Sequence, residues 1–196
     1  DKDKHMGTWT ALSVLTIFDK QPAIRQYNGP NHWNDPDMLE VGNGMSFAED
    51  QAHFTMWCML SAPLVAGNDL RKMSEQTKSI LTNKDVIAIN QDALGIAAYR
   101  NSSENGLEIW VKPLNNGNWA VCFLNRSDKA QNVTYNWAKN PLKDSFSKRT
   151  AEFTEAVYRL HDVWETKEAG TTKSNFKTSI PAHGVVLLLL TPNGAK

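Results

Sequence analysis

The chain is 196 residues long, 41% apolar and 21% charged, and its 21 Lys plus Arg balance 21 Asp plus Glu. Such globular proportions set aside disorder and collagen-like repeats. A zero net charge offers no long-range pull on a phosphate backbone, so no nucleic-acid partner is expected. The longest apolar run, Val185 to Leu190, falls far short of the ~20 residues of a membrane span, so no membrane partner is expected either. No basic segment followed by an apolar stretch stands near Asp1, and the start reads as internal. Seven tryptophans read first as core filler and second as platforms for sugar rings.

In chain order, Trp9, Leu12, Leu15, Ile17 and Phe18 recur at near-helical spacing, predicting an amphipathic helix that ends before Gln21-Pro22. Gly29-Pro30 is a break, His32 to Leu39 reads as a short strand, and Gly42-Asn43-Gly44 reads as a turn. Ser46 with Glu49 forms a capping box opening a helix that carries Phe47, Phe54, Trp57 and Cys58 and stops at Pro63. Leu64-Val65-Ala66 is a short buried strand, Ser74 caps the next helix, and a further helical turn or two runs from Thr82 to Asn90. Helices and strands that alternate in this way predict βα units on a parallel sheet.

The pattern changes near residues 92–95. Leu107, Ile109 and Val111 share one strand face, Asn116-Gly117 marks a hairpin, and Trp119 to Leu124 returns as its partner. Val133 to Trp137, Val157 to Trp164 and Phe176 to Ile180 continue the habit, and Val185 to Leu190 is a strand buried on both faces. Short strands with turn signals between them predict an antiparallel β-sandwich. The expected division is residues 1–93 and 94–196. Two or three βα units leave sheet edges open, so the remaining strands must come from the parent polypeptide or from another chain.

Cys58 and Cys122 fall in different predicted elements, as buried reduced thiols or as a disulfide. Sequons at Asn101, Asn125 and Asn132 matter only in a secreted eukaryotic setting. Five histidines, at 5, 32, 53, 161 and 183, show no metal-ligand spacing, and no phosphate loop or nucleophile elbow occurs, so neither metal nor cofactor is expected. His53 reads as a helix-surface or satisfied core residue and His183 as structural.

The most informative run is Trp33-Asn34-Asp35-Pro36-Asp37-Met38, two carboxylates flanking a proline at the end of a predicted strand. Pro36 fixes its own φ and restricts Asp35, which would hold Asp35 and Asp37 in different, defined directions. A carboxylate can accept from two adjacent sugar hydroxyls and an indole can offer an apolar face. The same pattern also suits a simple turn in which Asp caps the next element.

The run Gly29-Pro30-Asn31-His32-Trp33-Asn34-Asp35-Pro36-Asp37-Met38-Leu39, followed by Val41-Gly42-Asn43-Gly44, resembles glycoside hydrolase family 27, the α-galactosidases and α-N-acetylgalactosaminidases. Ala62-Pro63-Leu64 with Asn68-Asp69-Leu70-Arg71 is similar to the next barrel strand of that family. Asn83 to Asp92 with Leu94-Gly95 is similar to its last barrel helix, and Pro181-Ala182-His183-Gly184 to the end of its sandwich domain. The resemblance is dense over residues 29–95 and looser over 96–192. It implies the last βα units of a (β/α)8 barrel followed by an antiparallel β-sandwich.

It also implies a retaining mechanism with two aspartates ~5–5.5 Å apart. The family's nucleophile sits in a Lys-x-Asp strand end, which nothing here matches. Counting back from Trp9 at the family's spacing for the acid/base aspartate lands on Lys4, so that residue is Asp1 or Asp3 after a short insertion, or lies just before residue 1. Carried over by position, Asp37 binds the terminal galactose, Met38 packs on the sugar, and Trp33, Asn34 and Asp35 brace the strand end. The implied partner is a galactose-containing oligosaccharide or glycoconjugate, with α-N-acetylgalactosamine and β-arabinopyranose as alternatives. The implied location is secreted, periplasmic or lysosomal, and a homo-oligomer is compatible. The isolated chain is expected to be inactive, and a non-catalytic carbohydrate-binding or structural remnant is the competing reading.

Overall fold

The computed structural model describes Trp9 and residues 14–194. The first half is helical: α1 (Val14–Phe18), α2 (Gln21–Ile24), α3 (Phe47–Met59), α4 (Glu75–Leu81) and α5 (Lys84–Asn90). Of the helix expected over residues 9–18, the described part is α1. It ends before Gln21-Pro22 as expected, the chain turns at Asp19-Lys20, and Pro22 then sits in the first turn of a further helix, α2, where a missing N–H leaves no helical bond unmade.

The capping box of α3 is complete, with Glu49 N–H donating to Ser46 Oγ and Ser46 N–H to Glu49 Oε2. The helix ends at Met59, before Pro63. Ser61 takes positive φ (55°) just beyond the C-cap, and Pro63 prevents resumption. Ser74 and Asn83 cap α4 and α5 by accepting backbone N–H groups.

The two strands expected near residues 32–39 and 64–66 shrink to one parallel bridge between Leu39 and Ala66. Leu39 N–H donates to Val65 (2.8 Å) and Gly67 N–H to Leu39 (2.9 Å). The bridge is parallel, as the βα pattern requires. It is short because Pro36 has no N–H to donate and Asp37 leaves extended geometry at φ 78°. Gly67 allows the close approach, since a Cβ there would lie 2.8 Å from the Leu39 oxygen.

The second half is all β: β1 (Tyr99–Glu104), β2 (Leu107–Pro113), β3 (Trp119–Asn125), β4 (Gln131–Tyr135), β5 (Leu142–Asp144), β6 (Arg149–Ala151), β7 (Tyr158–Asp162), β8 (Lys167–Thr171), β9 (Phe176–Ile180) and β10 (Val185–Pro192). A six-stranded antiparallel sheet runs β1-β2-β3-β10-β7-β8, and β4-β9 and β5-β6 form two small sheets. The β2–β3 hairpin turns at Asn116-Gly117, both at positive φ.

Period-two alternation sends the two faces of the large sheet into different cores. Ile109, Val111, Trp119, Val121, Phe123, Leu188 and Leu190 pack with residues of the small sheets, closing the sandwich. Trp110, Ala120, Cys122, Leu124, Val185 and Leu187 pack with Phe18, Phe54, Met56, Trp57 and Cys58 of the helical half. β10 is therefore apolar on both sides, as its unbroken run requires. Cys58 and Cys122 lie in this one core as free thiols, which rules out the disulfide.

Charged side chains tie the halves together. Arg25 donates from both Nη atoms to the buried Asp144 (2.8 and 3.0 Å) and from Nε to Ala97 O. Arg126 bridges Asp19 and the buried Glu108. Lys112 is fully buried, and its Nζ reaches Cys58 O (3.0 Å), Ser61 Oγ (2.8 Å) and Ile89 O (2.6 Å).

His183 sits between Glu49 of α3 (Nδ1 to Oε1, 2.7 Å) and Asp128 of the β3–β4 loop (Nε2 to Oδ1, 2.8 Å), stacked near Trp9. Partial burial pulls its pKa down, but the bonds to Asp128 and Glu49 outweigh this and raise it above 6.5. The stabilisation is therefore fully present below pH 6.5 and lost as pH rises through the raised folded-state value. Burial pushes Glu49 up, but the Ser46 amide and His183 hold it below 4.5, so its share fades as the medium acidifies beneath that. The thermal-stability gap between wild type and His183→Gln should be widest in mild acid and close above neutrality. A gap independent of pH would mean that the ring serves without its charge.

Candidate strand-end site

The run singled out in the sequence forms a pinned corner on α3. Asp37 N–H donates to Asp35 Oδ1 (2.9 Å), and Met38 N–H donates to Asp37 Oδ1 (2.7 Å). The Asp37 carbonyl accepts from Trp57 Nε1 (2.9 Å). These three bonds hold Asp37 in left-handed geometry, which Asp tolerates better than most side chains. Asp37 Oδ2 makes no hydrogen bond among the described residues. Asp37 and Met38 are exposed side by side, Met38 at 46%, whereas Pro36 and Leu39 on either side are buried. A carboxylate with one oxygen anchored and one free, beside an exposed thioether, can accept from a polyol and cover its apolar edge.

Asp35 and Asn34 brace this corner: Asp35 through the Asp37 amide, and Asn34 by donating to Ile24 O at the end of α2 (2.8 Å). Trp33 does not join Asp37 and Met38. It is 52% exposed and lines a separate cleft of about 550 Å³ with Asn31, Pro63, Asn90 and Gln91. Asp1 and Asp3 lie outside the described residues.

Two supports from α3 have partners that the sequence did not show. His53 is wholly buried, the core alternative of the two readings, and its Nε2 accepts from Glu40 N–H (2.9 Å). Burial pushes its pKa down to about 3, so the ring is neutral and its proton sits on Nδ1. Trp57, read only as an apolar helix position, sets its indole N–H on Asp37. The two rings meet edge to face at 4.1 Å. Their i, i+4 spacing on α3 is the only local signal of this pairing. Further along, Asp50 accepts from Gly42 N–H (3.0 Å), and burial pushes its carboxyl up to about 6.

Among the described residues, no group of three His, Cys, Asp or Glu side chains could hold a metal ion. No helix among them is long and apolar enough to cross a membrane.

The chain also matches known proteins over most of its length. The family model "Alpha galactosidase A" matches residues 3–92, and "Alpha galactosidase C-terminal beta sandwich domain" matches 104–190. The chain is 49% identical to "Alpha-galactosidase A" of Cellvibrio japonicus over 95% of its own length and 46% of that protein's. It is 41% identical to an α-galactosidase of Oryza sativa over 92% of its length and 41% of that protein's. Among solved structures, α-galactosidase I of Mortierella vinacea superposes with a TM-score of 0.80 at 34% identity, covering 94% of this chain and 46% of that one. The chain thus spans about half the length of the relatives it matches. With two consecutive family models covering most of its residues in the order its two structural halves follow, the chain belongs to glycoside hydrolase family 27 and corresponds to the C-terminal part of its members.

Proposed function

We propose that this chain is the C-terminal portion of a retaining α-galactosidase, with residues 1–93 closing a (β/α)8 barrel and 94–196 forming its accessory sandwich. Asp37 and Met38 line the subsite for the terminal sugar, and Asn34 and Asp35 brace it. The supporting observation is the Asp37 carboxylate, anchored through Oδ1 with Oδ2 free beside an exposed methionine. The ends of barrel strands are where such groups gather. Trp33, in its separate cleft, is assigned to bracing the strand rather than to the sugar.

Hydrolysis with retention needs a nucleophile and an acid/base carboxyl about 5–5.5 Å apart. In this reading both come from sequence preceding Trp9, Asp1 and Asp3 included. The substrate is a galactose-containing oligosaccharide or glycoconjugate, and a secreted, periplasmic or lysosomal setting fits it.

The test uses the full-length protein with an aryl α-galactoside. Asp37→Ala removes a charge-assisted bond worth about 1.5–3 kcal/mol, so kcat/KM should fall roughly 10- to 150-fold. An unchanged kcat/KM would remove Asp37 from the subsite. Galactose binding without turnover by the wild type would favour a carbohydrate-binding module. Comparing kcat/KM across aryl α-galactoside, α-N-acetylgalactosaminide and β-arabinopyranoside assigns the sugar.

A further inference from the structure

Resting on the subsite reading above, we infer that Trp57 is a positioning residue for sugar recognition, aiming the Asp37 carboxylate by holding the Asp37 carbonyl. Three bonds keep Asp37 at φ 78°, a region that most L residues avoid. Two of them, to Asp35 Oδ1 and from Met38 N–H, lie within the corner itself and would travel with it. Only the third, from Trp57 Nε1 at 2.9 Å, ties Asp37 to another element.

That element is fixed. Trp57 is 1% exposed in the core shared with the large β-sheet, and its helix is locked by the capping box. Four residues earlier His53, packed against the Trp57 ring, holds the Glu40 amide. α3 thus grips the chain at Asp37 and at Glu40, and the bridge at Leu39 holds it between them. Without the Trp57 N–H, the 37–38 peptide is free to rotate. Such a rotation turns the Met38 amide, and the Asp37 carboxylate bonded to that amide loses its fixed direction.

The experiment is a double-mutant cycle in the full-length protein, following kcat/KM for an aryl α-galactoside and inhibition by free galactose. Trp57→Phe removes the donor and part of the ring. Benzothienylalanine at position 57 removes the N–H while keeping size and shape, so it controls for lost packing and for misfolding. Each replacement should lower kcat/KM and weaken galactose inhibition by about tenfold, at a melting temperature that the benzothienyl variant barely changes. In an Asp37→Ala background the same replacements should have almost no further effect, because they act through Asp37.

Additive losses in that background, or full activity in the benzothienyl variant, would overturn the positioning role while leaving the subsite intact. An Asp37→Ala variant with unaltered activity and galactose inhibition would instead overturn the subsite reading itself.

Discussion

Replacing Lys112 with methionine should destabilise the protein by about 3 kcal/mol near pH 8, read from the urea midpoint at constant slope. Lys112 is fully buried on β2, and its amine spans the ends of two helices. Cys58 and Ile89 sit in the last turns of α3 and α5, where carbonyls run out of intrahelical partners; the Cys58 carbonyl also accepts from the Ser61 N–H (3.2 Å). A side-chain donor from the sandwich thus meets the carbonyl ends of two helices. Methionine fills the volume but takes the amine away from the Ile89 carbonyl and the Ser61 hydroxyl, and leaves the Cys58 carbonyl with the Ser61 N–H alone. Lysine cannot be exchanged here for an apolar chain of similar length without that loss.

The pH dependence has a definite sign. Burial pushes the Lys112 amine down from 10.5 to about 7, against the pull of Cys58 and Asp92. Between these values the unfolded chain binds more protons, so the lysine's contribution is full above about pH 10.5 and lost as pH falls through about 7. The gap between wild type and Lys112→Met should therefore widen from neutral to alkaline pH. The neutral amine is also well housed: it donates to the two carbonyls and accepts from the Ser61 hydroxyl. A gap that narrowed with rising pH would mean that the ammonium itself is what the site requires.

A second large effect is expected from an almost isosteric change, Asn125→Asp. The Asn125 amide is buried and donates to Lys129 O (2.8 Å), Ile180 O (3.2 Å) and Pro181 O (2.9 Å), while its oxygen accepts from Ser127 N–H and Oγ. One side chain thereby fastens the end of β3 to the end of β9. The substitution turns a carboxylate oxygen toward three carbonyl oxygens away from water. The cost should be about 3–5 kcal/mol, the range for a buried charge left without its partner. It should ease in acid, when the introduced carboxyl regains one donor. A loss under about 1 kcal/mol at neutral pH would show that water reaches this corner. The same bonds settle the sequon: the Asn125 amide is committed to the fold, whereas Asn101 and Asn132 lie exposed on β1 and β4.

Much of this was legible in the residues because it depends on near neighbours. Ser46 with Glu49 marked the start of α3, Leu107 with Ile109 and Val111 marked one face of β2, and the unbroken run from Val185 marked a strand with a core on each side. Run Asp35-Pro36-Asp37-Met38 announced a corner, and the corner is there.

Other local signals misled where two rules competed. The first helix ends before Pro22 as expected, but the proline also opens a second helix that its helix-breaking habit did not suggest, since the first turn needs no N–H from it. The extended run from His32 keeps a single bridge, since Pro36 and the left-handed Asp37 break the ladder.

What the sequence determined by itself is the kind of each element and the chemistry it carries: helices and strands by periodicity and caps, and a carboxylate beside a thioether at a strand end. Only the tertiary structure decided which groups hold them. Trp57 lies 20 residues from the carbonyl it fixes, and Lys112 lies 54 and 23 residues from the two carbonyls it caps. His183 lies 134 residues from the glutamate it pairs with. A hydrogen bond is made by atoms about 3 Å apart, and once the partners are far apart along the chain, packing of the sheet on α3 and α5, not local spacing, sets that distance.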